Sequence, residues 1–533
     1  MKKSKKVWVW LLVLCMVLTA VPLTVIADTN EEFSYWVLSE TDKTCTITGY
    51  TGESADLQIP SEIHGYTVTI IGPGVFENCT ELTSVIIPDS VTTISGYTFS
   101  DCISLTSVTI PDSVTAIMDY AFNGCTGLTS ITIPDNVIKI GVGVFDGCSG
   151  LTDVTIPSSV KIIDEGPFAR CSSLTNIQVA ADSTTYSSEN GILFNKDKTA
   201  LVQYPTGKPV RSYMIPESVT QIMTKAFSGC EVLENIIIPN SVTDLGGLTF
   251  FGCTKLTNVV IPESVTSIGF RVFGNCTGLT SFVIPNSVTK IGMSAFSGCT
   301  ELARVVIPES VTEIQDNKAF DNCEKLTICG YAGSYAENYA AKEKIPFNQI
   351  FTPVQTDSDT AVSIGGGVPQ DGVLNIKTLK NTQRRVEYEI TIMKDGVAVQ
   401  PDGTVTVRIP VSAAMNPTGC KVYREEADKT YTDVQAFYLD GYMVFNTDHL
   451  SKYVMTIGNI NGDDVIYGDT NGDSFITTDD ALKALQYAVR KISLTDEQIK
   501  AADVNGEAGV TTADALAILQ RAVGKISKFV VEG

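Results

Sequence analysis

Through the first two-thirds of the chain, apolar and polar positions repeat on a fixed period that the cysteines mark. Cys79, Cys102, Cys125, Cys148 and Cys171 lie 23 residues apart, as do Cys230, Cys253, Cys276 and Cys299, and Cys323 follows after 24. Counted from each cysteine, apolar residues recur at positions 1, 4, 7, 9, 13, 16 and 21, as in Cys102, Leu105, Val108, Ile110, Val114, Ile117 and Phe122. The step from position 7 to position 9 is the two-residue period of a strand with one buried face. Proline at position 10 (Pro111 in this unit) cannot donate to a ladder and ends the strand. No single unit of this length buries so many apolar groups. Stacked units do, with their strands pairing in parallel along a solenoid. The 59 residues between Cys171 and Cys230 are one repeat plus an insertion of 36. Within it, Gly191–Phe194 and Ala200–Pro205 around Asn195–Lys198 predict a hairpin.

The ends of such an array need covers. Residues 33–78 predict N-terminal coils, with His64 in a turn, and Ser334–Lys344 predicts a short helix laying Tyr335, Ala336, Tyr339 and Ala340 over the last coil. Thr352–Gly372 is rich in Pro, Gly, Ser, Thr and Asp and predicts a linker. Alternating segments at Val386–Ile392, Thr404–Ile409, Cys420–Tyr423 and Tyr442–Phe445, punctuated by Asp-Gly turns, then predict a small β-sandwich over 373–457, with His449 in a structural role. Residues 458–466 predict a second linker.

Composition narrows the function. The 533 residues carry 38 Lys+Arg against 60 Asp+Glu, a net charge of −22, and show no basic footprint for nucleic acid. With only two histidines, His64 and His449, histidine zinc sites and Ser-His-Asp chemistry are disfavoured, and no catalytic signature is visible. Lys2, Lys3, Lys5 and Lys6, the apolar run from Val7 to Ala20 and Val25-Ile26-Ala27 before Asp28 are the order of a secretory signal peptide over 1–27. No other run of about 20 apolar residues exists to span a bilayer. Export would permit disulfides, yet one cysteine at the same place in every coil predicts a buried row of reduced thiols, each a small hydrophobe and weak donor to a loop carbonyl.

On the predicted strand, positions 6 and 8 face outward. Position 8 holds Ile237, Val260, Val283 and Val306 after the insertion, an aliphatic stripe that is a candidate ligand surface. β-Branched residues also simply suit a pleated surface, and the stripe has no aromatics of the kind a sugar stacks on, so it points to a protein partner or to packing of one solenoid on another rather than to a glycan. The acidic residues at turn position 11 (Asp89, Asp112, Asp135, Glu217, Glu263, Glu309) come one per coil, as a solvated row rather than the close pair a glycoside hydrolase needs.

The C-terminus carries the sharpest motif. Asp469, Asn471, Asp473, Phe475 (through its carbonyl), Thr477 and Asp480 occupy positions 1, 3, 5, 7, 9 and 12 of a loop followed by a helical segment over Ala481–Arg490. Thirty-four residues later Asp503, Asn505, Glu507, Gly509, Thr511 and Asp514 repeat the spacing. A hard cation takes six to eight oxygens, and a 12-residue loop supplies them by turning alternate side chains inward. The twelfth residue is Asp rather than Glu, and Ser474 and Ala508 stand where an EF-hand loop has Gly.

Ile284-Pro285-Asn286-Ser287-Val288-Thr289 through Ala295-Phe296-Ser297-Gly298-Cys299 resembles the BspA-type leucine-rich repeat family, which implies a leucine-rich solenoid over 28–350. Residues 467–527 resemble a type I dockerin. That resemblance implies an all-α domain with two Ca²⁺ ions held by the two loops, and a cohesin domain of a scaffold protein as partner. It also implies cohesin contacts at Thr478, Asp479, Leu485 and Gln486 in the first unit and Thr512, Ala513, Leu519 and Gln520 in the second. Their internal symmetry implies binding in two orientations. The expected whole is a secreted, modular, non-catalytic recognition or adhesion subunit in a cellulosome-like, polysaccharide-degrading setting. The solenoid's protein or glycan ligand is left open, and a hydrolase subunit or an inert spacer are the competing readings.

Overall fold

The structure is a computed structural model, and it describes residues 32–315, 318–381, 385–411, 420–439, 441–457, 470, 478–504 and 509–522. The signal-peptide segment and the linker at 458–466 lie outside the described residues. The chain divides into two compact units, 1–196 and 197–533.

The first unit is a solenoid. Three-residue strands such as Ser84–Ile86 and Ser107–Thr109 pair in parallel with a register offset of one repeat, Val85 opposite Val108. A second ladder of short strands runs through each coil: Tyr66–Ile71, Thr93–Ile94, Ala116–Ile117, Lys139–Ile140 and Ile162–Ile163. The hydrophobic period does not reveal this second ladder, because each of its strands contributes one inward residue. Phe33–Ser39, antiparallel to Thr44–Tyr50, covers the N-terminal end. His64 has φ 50° and Gly65 φ 82°, the left-handed pair of a tight hairpin between Glu62–Ile63 and Tyr66–Thr67. In the insertion, Tyr186–Glu189 pairs antiparallel with Ile192–Asn195 around Asn190-Gly191, a hairpin whose turn signal the longer apolar segments mask.

The second unit is built on two ladders of its own of the same kind, for example Ser281–Val283, Arg304–Val306, Thr327–Gly330 and Phe347–Gln349 in parallel. Helix Tyr335–Glu343 covers the end. Its N-cap Ser334 accepts from Glu337 N–H, and Ala336, Tyr339 and Ala340 are buried, while Tyr335 is 39% exposed rather than inward. A β-sandwich follows. One sheet orders Gln355–Thr356, Ser363–Gly366, Val405–Pro410, Tyr442–Thr447 and Phe437–Leu439; the other orders Val373–Asn381, Arg385–Lys394, Lys452–Ile457, Cys420–Glu425 and Tyr431–Asp433. The Tyr453 hydroxyl donates to His449 O at 2.5 Å, so the histidine serves through its backbone.

Residues 351–372 are therefore not the linker their composition predicts. Val362 and Ile364 are fully buried in the sandwich core, and Asp357 folds the intervening turn by accepting from Thr360 N–H and Oγ1 at 2.9 and 2.7 Å. Gly365 is there because of close approach: a Cβ would fall 1.9 Å from Thr352 O. The last domain is helical, with Thr478–Ala488, Asp496–Ala502 and Thr512–Ala522 packed around Ala484, Ala502, Val504 and Ile518. The middle helix is not evident from the loop spacing; it starts in a capping box between Thr495 and Gln498.

The repeat motif is explained letter by letter by contacts one coil back. The repeat cysteines donate Sγ–H to a phenylalanine carbonyl: Cys102 to Phe76, Cys125 to Phe99 and Cys148 to Phe122 at 3.1 Å, Cys276 to Phe250 and Cys299 to Phe273 at 3.0 Å. The phenylalanines stack: ring centroids are 5.1 Å apart for Phe76–Phe99 and 5.4 Å for Phe250–Phe273. The serine after Pro-Asp, Pro-Glu or Pro-Asn bonds to a valine carbonyl, as Ser113 Oγ to Val91 O at 2.6 Å and Ser310 Oγ to Val288 O at 2.8 Å. The reduced row is as expected: the thirteen described cysteines are free thiols.

Burial pushes Cys102 up to about 12 and Cys323 to about 11, and lifts Cys148 well above the ordinary thiol range. Because the folded values are raised, the stability from these thiols is fully present below about pH 8.5, where unfolded thiols begin to ionise, and is lost as pH rises through the folded values. Melting temperature is expected to be flat from about pH 6 to 8. Above about pH 9 it falls steeply, each deeply buried thiol removing roughly 1.4 kcal/mol per pH unit. Differential scanning calorimetry across that range checks the slope, and Cys148→Ala should make it shallower.

Candidate functional site

Both C-terminal loops end in a helix, and their twelfth residues, Asp480 and Asp514, are fully buried. Asp514 accepts from Val504 N–H through Oδ1 and from Thr511 N–H and Oγ1 through Oδ2, each at 2.9 Å. Thr511 in turn accepts from Ala513 N–H at 3.2 Å. This reciprocal cap, with a carboxylate in the first turn, fixes the start of helix Thr512–Ala522. At the first loop, Thr470, equivalent in sequence to Val504, donates its Oγ1 to Asp480 O at 2.8 Å and to Asp480 Oδ1 at 3.3 Å.

Of the twelve candidate ligands, Asp469, Asn471, Asp473, Phe475, Thr477, Asn505 and Glu507 lie outside the described residues. In the second loop, Asp503 Oδ2 accepts from Gly509 N–H at 3.1 Å. Its Oδ1 is buried and has no hydrogen-bond partner among the described residues. An orphaned buried carboxylate oxygen is costly unless a cation faces it. Asp503 stands at the head of a loop of oxygen donors, so the donor set fits a hard divalent ion such as Ca²⁺.

The candidate cohesin contacts fall on one surface per helix. Thr478, Thr512 and Ala513 are exposed at the helix starts, Leu485 and Leu519 are 40% and 39% exposed, and Gln486 and Gln520 are half-buried. Asp479 lies within the first helix. The sequence motif passed over Leu482 and Leu516, which are more exposed still at 52% and 55%, and Val489. Their signal was available: Leu482 and Leu516 obey the same 34-residue spacing, and Leu482, Leu485 and Val489 sit at i, i+3 and i+7 of one helix face. An apolar patch of this kind, rimmed by polar side chains, marks a protein contact surface.

The aliphatic stripe needs correction. Position 8 does face out of the coil, but part of what it faces is the chain's own sandwich. Val306 is 1% exposed, in a cluster with Cys329, Ile350, Leu439 and Val444, and Val283 and Phe437 pack against it. The Arg304 guanidinium bonds Gln435 O, and Asn446 Nδ2 donates to Asn348 Oδ1 at 2.9 Å and Gln349 O at 3.0 Å. Ile237 is half-buried and Val260 stays exposed. A cavity of about 210 Å³ lies where Val260 and Val283 meet Phe437, Tyr438 and Met443. The end of the stripe, Val306 and part of Val283, is thus an intramolecular docking face, which no local pattern near residue 306 could show. The acidic row is as read: Asp89, Asp112, Asp135, Glu217, Glu263 and Glu309 are all exposed, one per coil.

Comparison with known proteins agrees with this division. The family model described as the BspA type leucine rich repeat region matches in six copies over residues 67–193 and 206–327, and that of the dockerin type I domain matches residues 467–522. Neither kind of domain is catalytic. No curated protein matches the chain. Among solved structures, the chain is similar to a leucine rich cell surface protein from Faecalibacterium prausnitzii, at 31% identity and a TM-score of 0.45, covering 60% of this chain and 98% of that one. It is also similar to a leucine-rich repeat protein from Eubacterium ventriosum (25% identity, 58% of this chain and 90% of that one, TM-score 0.45). A third is the pneumococcal vaccine antigen PcpA (18% identity, 62% and 99%, TM-score 0.48).

Two outcomes follow. Asp503→Ala should leave the helices around Ile518 as stable in a chelator as they were, and remove part of the Ca²⁺-induced gain. Asp514→Ala orphans two backbone N–H groups and should cost about 1–3 kcal/mol with or without the ion. Hydrogen exchange over 478–522 in EDTA and in Ca²⁺ separates the two. Val306→Glu should raise exchange at Leu439 and Val444, because it buries an unpaired charge, whereas Val260→Glu should leave those amides unchanged.

Proposed function

The chain belongs to the BspA-type leucine-rich repeat proteins and carries a type I dockerin domain, and from that premise we propose that it is a secreted, non-catalytic recognition subunit plugged into a cohesin-bearing scaffold. A dockerin implies attachment to a cohesin, and leucine-rich repeats suggest a binding surface. The observation that carries the reading is the pair of helices, related by 34 residues, that present Leu482/Leu485 and Leu516/Leu519 beside Thr478 and Thr512.

In this reading one Ca²⁺ is held by Asp469, Asn471, Asp473, the Phe475 carbonyl, Thr477 and Asp480. A second is held by Asp503, Asn505, Glu507, the Gly509 carbonyl, Thr511 and Asp514. Type I dockerins bind calcium, and the ion supplies the charge that lets clustered carboxylates converge in a domain of only about 60 residues. The signal peptide exports the protein and the setting is a cellulosome-like complex acting on polysaccharide. Among the described residues no helix is long and apolar enough to cross a membrane. Both helices carry the Thr and Leu-Gln elements, so a cohesin can be engaged by either one, in orientations related by about 180°.

Capture of the full chain on an immobilised type I cohesin panel tests the attachment. At least one cohesin should retain it in Ca²⁺ and release it in EDTA. Replacing Leu485 and Gln486 by Ala, or Leu519 and Gln520 by Ala, should each weaken capture only a few-fold, and all four together should abolish it. Complete loss from one pair alone would refute the two-orientation reading.

A further inference from the structure

Part of the position-8 row in the second unit stays uncovered by the chain's own sandwich. Met214, Ile237 and Val260 follow one another in register on neighbouring coils, and Val283 and Val306 pair in the same way further along. Met214 is 58% and Val260 44% exposed, whereas Val306 is buried. The open row is therefore continuous with an interface already described, in which its last members take Phe437, Leu439 and Val444. Where the covered and open parts meet, the cavity of about 210 Å³ keeps apolar space beside Val260, Val283, Phe437 and Met443. Glu217, Glu263 and Glu309, three residues beyond Met214, Val260 and Val306, edge one side of the row at every second coil, and all are exposed.

Spacing and charge decide what fits. Neighbouring coils stand about 4.8 Å apart, so the row offers an apolar step of that length and a carboxylate about every 9.6 Å. An extended strand laid along the row presents same-face side chains about every 6.8 Å and falls out of step. A helix presents them after three or four residues, about 4.5 or 6.0 Å, and stays in step from Met214 to Val283. The chain carries such a helix. In Thr478–Ala488, Leu482 and Leu485, with Val489 just beyond, form one apolar stripe, 52%, 40% and 48% exposed. Lys483 and Arg490, seven residues and so about 10 Å apart, edge it with positive charge. The equivalent residues 34 positions on are Ala517 and Gly524, so the stripe of Leu516 and Leu519 lacks cations at these two places. Stripe and row are both exposed in one chain, so neither covers the other within it.

We propose that the open row Met214, Ile237 and Val260 is the docking site for helix Thr478–Ala488 of a second copy of this chain. Leu482, Leu485 and Val489 lie along the row, the end of the stripe fills the cavity beside Val283, and Lys483 and Arg490 face Glu217 and Glu263. The contact is heterologous: one copy gives the helix and the next gives the row, so copies add head to tail. In a chain of net charge −22, a basic edge on the incoming helix offsets the repulsion between copies. Four coils against three turns of helix bury well under the roughly 1,200 Å² of a stable interface, so the association is weak and grows with concentration. This goes beyond the attachment reading and does not rest on it, although a cohesin seated on Leu482 and Leu485 excludes the second copy.

Sedimentation velocity of the full chain in Ca²⁺ at low ionic strength, from about 1 to about 200 µM, tests the contact on the scale of a weak interface. The average mass should rise with concentration, and the rise should shrink in high salt. Val260→Asp disables the row and keeps the helix; Leu482→Asp with Leu485→Asp does the reverse. Each variant alone should stay monomeric. An equal mixture of the two should form a dimer and nothing larger, since each supplies the half the other lacks, and that dimer also shows that both variants fold. Ile86→Asp, at the equivalent outward position in the first unit, should associate like the parent chain. A parent chain that is monomeric at every concentration, association that survives either variant, or a mixture that yields no dimer overturns the proposal. Cohesin capture of the Val260→Asp variant is read in parallel. Capture without self-association by the parent chain leaves the attachment reading standing alone, and self-association without capture leaves this docking standing alone.

Discussion

The inter-coil contact between a cysteine thiol and a phenylalanine carbonyl is the constraint on which the repeats depend. Each such carbonyl already accepts from the cysteine N–H three residues on in its own coil, as Phe99 O does from Cys102 at 3.3 Å, and then from Cys125 Sγ of the next coil at 3.1 Å. The site is dry, so a small residue must fill space and donate weakly at once, which a reduced cysteine does. An alanine would leave the second acceptor site empty, and a serine would bury a hydroxyl where a sulfur packs. Because donor and acceptor belong to neighbouring coils, the thiol row, the phenylalanine stack and the Ser-to-Val carbonyl bonds share one register. In the one coil that is a residue longer, Cys323 Sγ still reaches Phe296 O at 3.2 Å and Phe320 still stacks on Phe296 at 5.3 Å, so the extra residue is taken up outside these contacts and the register they set is kept.

What was legible in the sequence follows from this. The repeat, its inward positions and its reduced thiols could be read because one rule applies in every coil, and repetition averages out local exceptions. The C-terminal domain could be read because its loop–helix unit recurs after 34 residues, and the family match over 467–522 agrees with it. Other features were hidden for physical reasons. The second ladder spends only two residues per coil. The glycines and threonines of 351–372 look like a linker until Gly365 is seen to let backbone pass close to Thr352, and Val362 and Ile364 to fill a core. Leu439 and Val444 reach Val306 from more than 130 positions away, and no local pattern encodes that.

The helical domain shows how one small motif does two jobs. Asp514 and Thr511 cap their helix by reciprocal hydrogen bonds, and the loop that places them also turns Asp503 inward. Loop and helix therefore order together, and the exposed leucines downstream inherit their position from the carboxylates upstream. The contact face thus sits on a helix whose start Asp514 fixes, next to a loop in which Asp503 Oδ1 has no hydrogen-bond partner among the described residues.

The outward surfaces of the repeats divide along similar lines. On the strand face of the second unit, β-branched residues suit a pleated surface, and the sandwich takes up the end of the row at Val306 and part of Val283. What is left exposed there is small. On the turn face the backbone is left-handed at the same place in both units, at Gly74, Tyr97, Tyr120, Gly143 and Gly166 and again at Lys225, Leu248, Arg271 and Ser294. The coil geometry imposes that conformation whatever the side chain, because the inter-coil bonds on either side of it hold the turn, and the residue there is left to vary; Tyr97 and Tyr120 use that freedom to stack on each other at 5.1 Å.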